Sequence, residues 1–435
     1  SPKAEVTAAT AAENSASERG GRSTQVAYLG VSDTHRPADE GLIASRPVAG
    51  RPVTGGSVTE DQIVEALRPV DDPELNMSMV ELGMVKKVDI DGDNVTVQVA
   101  LTVPGCPLRA EITERVTAAL MPLEGVAHVG VDMTIMTDDE RAAVRRRMEE
   151  SRGATGTTPG KPLGHEEGRL NPFMSTSSPT RVLGISSGKG GVGKSSVAVN
   201  LAVALAGKGH EVGILDADVY GFSVPKMMGI DHDPVVIDDM VVPPVAHGVK
   251  VISIGFFVGD DQPVMWRGPM LHKALEQFLV DVYWGDLDYL LVDMPPGTGD
   301  VALSMAQYLP RSEVFVVTTP QPAAQRVAQR TAFMARKVNL PLRGVIENMS
   351  WFTGDDGKRY EIFGRGGGAE LAESLSVPLL AQVPLVLALR EGGDVGLPIT
   401  VSDPYGETSS AFTAMAQAVE EMKPSRVFSP ELQVS

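Results

Sequence analysis

Cysteine is all but absent from this sequence: Cys106 is the single one in 435 residues. An intramolecular disulfide is therefore impossible, and a metal–sulfur cluster held by four thiolates of one chain is excluded. No apolar run approaches the ~18 residues needed to span a bilayer. The first residues show no charged-then-apolar signal pattern. Basic residues are in deficit, 38 Lys and Arg against 56 Asp and Glu for a net charge of −18, which opposes a nonspecific grip on nucleic acid or anionic lipid. Internal repeats are missing, and the histidines show no metal-ligand spacing. These absences lead us to expect a soluble, cytoplasmic protein that engages neither nucleic acid nor membrane.

What is present is enough for two domains. The length exceeds the ~250–300 residues at which one hydrophobic core stops growing, and 43% of the residues are hydrophobic. Residues 1–56, rich in Ala, Ser, Gly, Pro and Thr and without periodicity, are expected to be a disordered leader. A small α+β domain is expected over 57–137. In it "SVTEDQIVEALRPV" predicts a helix capped by Ser57 or Thr59, and "GMVKKVDI" and "NVTVQVALTV", joined by "DGDN", predict a hairpin. A helix opened by Pro107 and the strand-like "VAHVGVDMTIM" complete it. A charged helix and a Gly, Pro, Ser and Thr linker fill 138–179. From 180 to 423 the short apolar runs "RVLGISS", "EVGILDAD", "VKVISIGFF", "YLLVDMP", "EVFVVTTP" and "LRGVIENM" alternate with amphipathic stretches, and 424–435 is a tail. Apolar strands alternating with helices predict a doubly wound, mostly parallel α/β sheet.

The segment Gly188 to Ser195 fits the phosphate-loop pattern G-x-x-x-x-G-K-[ST], set between a predicted strand, Arg181 to Ser187, and a predicted helix, Lys194 to about Ala206. Glycines let backbone N–H groups wrap a phosphate, and the helix N-terminus adds partial positive charge. The binding set is expected to be Gly188, Lys189, Gly190, Gly191, Val192, Gly193, Lys194, Ser195 and Ser196. Lys194 should neutralise the β- and γ-oxygens of ATP, and the Ser195 hydroxyl should coordinate Mg²⁺. Asp293, at the end of "YLLVD", and Asp216, at the end of "EVGILD", stand where carboxylates hold the metal's shell. Asp218 is favoured to orient the attacking water; the alternative is that Asp216 and Asp218 cap a following turn. The Pro-Pro-Gly-Thr-Gly after Met294 suits a sensor of the γ-phosphate.

The loop holds a second lysine, Lys189, and in this it resembles the K-G-G-x-G-K-[ST] loop of the dimeric ATPases related to MinD, ParA and the nitrogenase iron protein. That resemblance implies a homodimer in which Lys189 reaches the partner's nucleotide. An extra cation there would stabilise the charge that shifts in phosphoryl transfer. "LDADVYGFSVPKMMG", "MWRGPM", "LLVDMPPGTGDVALSMAQ", "VVTTPQ" and "VIENMSWF" are similar to the Mrp/ApbC family of ATPases, from about Pro179 to Met422. "DDPELN" and "PGCPL" in the small domain resemble the SufT-like module. The resemblance implies an ATP hydrolase that binds and transfers iron–sulfur clusters, with apoproteins and cluster assembly proteins as partners. It also implies that Asn348 reads the adenine edge; its amide has the donors and acceptors for a purine.

One departure stands out. After "ENMSWF" the cluster-carrying members of the family usually have Cys-x-x-Cys, whereas this chain reads "TGDDGKRYEIFGRGGG". Asp355 and Asp356 are hard oxygen donors that suit Mg²⁺ or Ca²⁺ better than a cluster, and a role as turn residues is favoured for them. Cys106, beside a predicted helix start that would favour a thiolate, is the one candidate cluster ligand; a plain buried cysteine is the alternative. In the resembled module it is the reactive cysteine and Glu74 its companion. Trp351 and Phe352 are expected to pack rather than stack on a base. The departure leaves open a nucleotide-switched scaffold of the same fold that has no cluster of its own.

Overall fold

The computed structural model describes residues 58–424 apart from 74, 76, 103–107, 154–170, 176–177, 220, 238–239, 258–267 and 298–299. The expected leader, tail, Cys106 and Glu74 lie outside the described residues.

The chain's first described helix, α1 (Glu60–Leu67), opens on a capping box: Thr59 Oγ1 accepts from the Gln62 N–H, and the Gln62 side chain accepts from the Thr59 N–H. This satisfies two of the donors that every helix start leaves unpaired. Strands β1 (Val85–Asp91) and β2 (Asn94–Leu101) pair antiparallel around the "DGDN" turn. Helix α2 (Arg109–Leu120) then crosses over to β3 (His128–Ile135), which pairs parallel to β2. Ile63, Leu67, Val97, Val99, Ile112 and Val116 form the core, and α3 (Asp138–Gly153) adds Val144 and Met148 to it. The charged segment after the small sheet is therefore also part of its packing.

The larger domain runs β4 (Arg181–Ser187), α4 (Lys194–Ala206), β5 (Val212–Asp216), α5 (Val224–Met227), β6 (Val235–Ile237), β7 (Met240–Val242), β8 (Val245–Ala246) and β9 (Val249–Ser253). It continues through α6 (Gly268–Val280), β10 (Tyr289–Asp293), α7 (Asp300–Tyr308), β11 (Glu313–Thr318), α8 (Pro322–Lys337) and β12 (Leu342–Asn348). The last part is β13 (Phe352–Thr353), β14 (Arg359–Tyr360), α9 (Gly367–Leu375), β15 (Leu379–Val383), α10 (Leu387–Val395), α11 (Ile399–Ser402) and α12 (Glu407–Glu421). Eight strands form one sheet in the order β15-β12-β11-β4-β10-β5-β9-β8. All neighbours pair parallel except the edge strand β8, which is antiparallel to β9.

Helices cover both faces, which is why the strands read as unbroken apolar runs. Side chains alternate between two cores: Leu290, Val292, Val314 and Val316 point to one, with Trp284, while Leu291, Phe315 and Val317 point to the other, with Phe412. Phosphate-loop strand β4 lies at the centre, so its C-terminal end opens at the crevice where the strand order changes direction, the usual ligand position in such sheets.

Three details differ from the sequence reading. The run "VKVISIGFF" stops being a strand at Ser253 and continues as a 3₁₀ turn, Ile254–Phe257. Part of the expected linker is fastened: Asn171 donates to the Tyr308 carbonyl (2.9 Å), and buried Phe173 meets Trp284 edge to face. The third is the hairpin β6–β7, which the sequence reading passed over. Its Val235, Ile237, Met240 and Val242, together with Tyr283, are buried in the same core as the small domain.

Phe412, on α12, is fully buried against the α4 side of the sheet. Phe412→Ala should cost ~3–5 kcal/mol, the usual loss for emptying an aromatic site, read as a lower urea midpoint. An unchanged midpoint would show that α12 is no part of the cooperative unit.

Candidate functional site

Backbone sterics fix the phosphate loop first. A Cβ on Gly188 would stand 2.4 Å from the backbone of Val327 and Ala328 on α8, so only glycine lets the loop pack there. Gly193 ends the loop with φ +77 as the N-cap of α4, and a Cβ there would meet the Asn348 amide at 2.2 Å. Between them Gly190 and Gly191 face open space. The loop thus delivers Lys194 and Ser195 to the first turn of α4, where unpaired N–H groups and the helix dipole favour an anion.

Three neighbouring strands supply two carboxylates and a hydroxyl. Asp293 ends β10 opposite Asp216 at the end of β5, and Ser253 ends β9 opposite Asp216. Lys194, only 6% exposed, donates from Nζ to Asp293 Oδ1 (2.5 Å), and Ser195 Oγ donates to Asp293 Oδ2 (2.5 Å). Asp218 Oδ2 lies 3.5 Å from the same ammonium. The sequence-predicted Lys194, Ser195, Asp218 and Asp293 are therefore brought together.

Asp216 is adjacent but differently employed. Its Oδ1 accepts from the Asp218 N–H (3.1 Å), and its Oδ2 accepts from the Ser223 and Val224 N–H groups (3.1 and 3.2 Å) and from Ser253 Oγ (3.1 Å). The carboxylate organises its loop and makes no hydrogen bond to Lys194 or Ser195 among the described residues. Burial, and then the charge of Asp293, push its pKa up to about 7. Burial likewise raises that of Asp293, opposed by Lys194. Two acids pressed toward neutrality on adjacent strands make a site that favours cations.

Lys189 is set apart from this cluster. Its Nζ donates to Gln321 Oε1 (3.2 Å), at the N-cap of α8. Beyond Asp293, Gly297 N–H bonds back to the Ser187 carbonyl (2.8 Å), which holds the expected γ-phosphate sensor against the loop strand; Thr298 and Gly299 lie outside the described residues.

A cleft of about 200 Å³ adjoins the loop, lined by Ser196, Asn348, Leu385, Leu389, Arg390 and Asp394 among others. Asn348 is buried, and its Nδ2 donates to the Val192 carbonyl (2.9 Å), so its Oδ1 is fixed as an acceptor with no partner. The cleft wall beyond Val383 was missed in the sequence; the apolar "PLV" immediately past a strand end was its available signal. Farther on, "TGDDGKRY" folds as the small hairpin β13–β14. Asp356 accepts from the Lys358 N–H (3.0 Å) and the Tyr360 hydroxyl (2.9 Å), and these bonds hold its carboxyl below the usual range. Arg359 lies over the Trp351 ring (4.2 Å) and pairs with Glu407 (2.6 Å), which makes Trp351 a packing residue. Among the described residues no group of three or more His, Cys, Asp or Glu is arranged to hold a metal ion. No helix among them is long and apolar enough to cross a membrane.

Comparison with known proteins agrees with this geometry. Residues 178–420 match the family model of the NUBPL iron-transfer P-loop NTPase, and residues 60–133 match that of an iron–sulfur cluster assembly protein. The iron–sulfur cluster carrier protein of Mycobacterium leprae is 48% identical over 344 residues, 78% of this chain and 86% of the relative. That of Synechocystis is 42% identical over 366 residues, covering 82% and 96%. A solved nucleotide-binding protein of Archaeoglobus fulgidus in complex with ADP is 32% identical and covers 55% of this chain and 96% of its own, at a TM-score of 0.47. By the extent of the family models and of the two carrier-protein relatives, the chain belongs to the iron-transfer P-loop NTPase family, with an iron–sulfur cluster assembly domain ahead of the NTPase.

Proposed function

We propose that the chain is a Mg²⁺-dependent ATPase, working as a homodimer, that delivers iron–sulfur clusters as cargo to apoproteins. The observation that carries this reading is the bridge of Lys194 and Ser195 by one buried carboxylate, Asp293, at the start of α4. It is the donor set a metal-bound nucleotide requires. Asn348, which lines the cleft beside the loop, supports adenine through the resemblance: its amide has the donors and acceptors that suit a purine edge.

Ser195 and Asp293 offer hard oxygen donors and would hold Mg²⁺, which when bound neutralises charge on the β- and γ-phosphates. The remaining work belongs to the chain. Lys194 is within reach of both Asp293 and Asp218, and exchanging these carboxylates for phosphate oxygens keeps its charge paired throughout. To Asp218, next to this ammonium and 7% exposed, we assign the orienting of a water for attack. Asp216 holds the main chain that carries Asp218, so we assign it to positioning rather than direct metal contact. Lys189, tethered at the loop's rim to Gln321 rather than to the Asp293 cluster, is assigned to the nucleotide of the second subunit.

The cargo reading rests on the family and on the small domain. A second reading, a nucleotide-switched scaffold without a cluster of its own, is favoured by one observation: the hairpin at residues 351–360 contains no thiolate and is closed by the Arg359 contacts. Anaerobic reconstitution with iron and sulfide, followed by transfer to an apoprotein, separates the two. Retained iron and sulfide with transfer supports the carrier; nucleotide-dependent binding of the apoprotein without retained iron supports the scaffold.

Lys194→Ala should abolish most ATP binding, because it removes the one cation that Asp293 and the phosphates share; near-normal affinity by calorimetry would refute the assignment. Lys189→Ala should leave Mg·ATP binding largely intact and lower turnover by ~10³-fold, as loss of a cation acting in trans does. Mixed with Lys194→Ala chains it should recover activity, with a maximum near equal ratios, since one composite site then has both lysines. Flat activity across the ratios, with chain exchange verified, would place Lys189 within its own loop.

A further inference from the structure

The hairpin β6–β7 leaves the main sheet between β5 and β8, and one carboxylate oxygen at the end of β5 holds both the start of α5, on the way out, and the end of β9, the strand that follows the return. Asp216 Oδ2 accepts from Ser223 and Val224 N–H where the excursion begins (3.1 and 3.2 Å) and from Ser253 Oγ where it has returned (3.1 Å). The hairpin is also bonded to the segment that follows α6. Val241 N–H donates to the Asp281 carbonyl (2.9 Å), and Tyr283 N–H donates to the Val241 carbonyl (2.8 Å). This segment leads into β10, which ends in Asp293. Short links therefore tie the hairpin to the two acids that end adjacent strands in the phosphate site.

Its other side belongs to the small domain. Val235, Ile237, Met240 and Val242 are buried in one cluster with Ile63, Val97 and Ile112. Tyr283 closes the seam, its hydroxyl donating to Met77 Sδ (3.7 Å). A shared apolar core does not deform continuously; its close packing passes displacement from one body to the other. Phosphate drawing Lys194 away from Asp293 changes the charge balance beside Asp216, whose hydrogen bonds fix the start of α5 and hence the root of the hairpin.

We infer that the hairpin β6–β7 couples the nucleotide site to the small domain, so that the bound nucleotide sets how firmly that domain is docked. The inference rests on the nucleotide reading given above. Coupling between two sites is reciprocal in binding free energy, so loosening the docking must also alter the preference between nucleotides.

The test is hydrogen exchange on the full chain, alone, with Mg·ADP and with Mg·AMPPNP, with binding of each nucleotide measured by calorimetry on the same samples. Amides of Val235–Val242 and of β2 should exchange at rates that differ by about fivefold or more between the two nucleotides, the size of ordinary allosteric coupling. Val242→Ala should shrink that difference and shift the AMPPNP-to-ADP affinity ratio. Should this variant fail to fold, Tyr283→Phe, which removes only a hydroxyl, supplies the reciprocal measurement. Equal exchange with both nucleotides bound, or an unshifted affinity ratio in a folded variant, overturns the coupling and leaves the nucleotide reading standing. No calorimetric binding of either nucleotide overturns both.

Discussion

The buried contact of Asp293 with Lys194 and Ser195 is the constraint on which the rest of the site depends. A carboxylate at the end of a central strand, with no exposure to water, is costly unless its charge is paired. Here it is paired by the lysine that the glycine loop delivers, which links strand β10 to the start of α4 across the crevice. Removing one member of a buried ion pair typically costs ~3–5 kcal/mol because the other is left uncompensated. The same contact therefore serves stability and fixes the geometry of Lys194 and Ser195 at the start of α4.

Asp216 adds a second level. Its carboxyl is raised to about 7, first by burial and then by Asp293, so between the ordinary carboxylate range and neutrality the folded chain keeps a proton that an unfolded chain has released. Stability from this group therefore falls as pH rises from the ordinary carboxylate range toward 7. Three N–H donors and the Ser253 hydroxyl offset part of that cost. The fold accepts the remainder at a place where the loop and the ends of strands β5, β9 and β10 converge.

The elements nearest the chemistry were legible in the sequence because local sterics dictate them. Strand Arg181–Ser187 and helix Lys194–Ala206 fall where the glycine loop and apolar pattern put them, and Asp293 sits at a strand end as the unbroken run before it requires. What escaped was decided by distant partners. The hairpin β6–β7 has strands of three residues, too short for a periodic signal, and it is stabilised by apolar residues of another domain. The cleft wall after Val383 is assembled from segments far apart in sequence, and the hydrogen bonds that turn Asp216 inward come from Ser223, Val224 and Ser253. The 3₁₀ turn at Ile254–Phe257 ended a strand inside an apolar run whose one breaker, Gly255, is flanked by large apolar residues on both sides.

The stacked pair Arg359 and Trp351 has an optical consequence. Trp284 is sealed in the core, whereas Trp351 is partly exposed and its carbonyl accepts the N–H of Leu385 (2.7 Å), a residue of the cleft wall. Its main chain is thus one hydrogen bond from the cleft wall, and its indole lies under a guanidinium whose position alters the local field. With Trp266 and Trp284 replaced by Phe, Trp351 would be the sole indole emitter of the chain, a label-free reporter on the segment hydrogen-bonded to the cleft wall, and a useful one where the lone cysteine gives thiol dyes a single place to go.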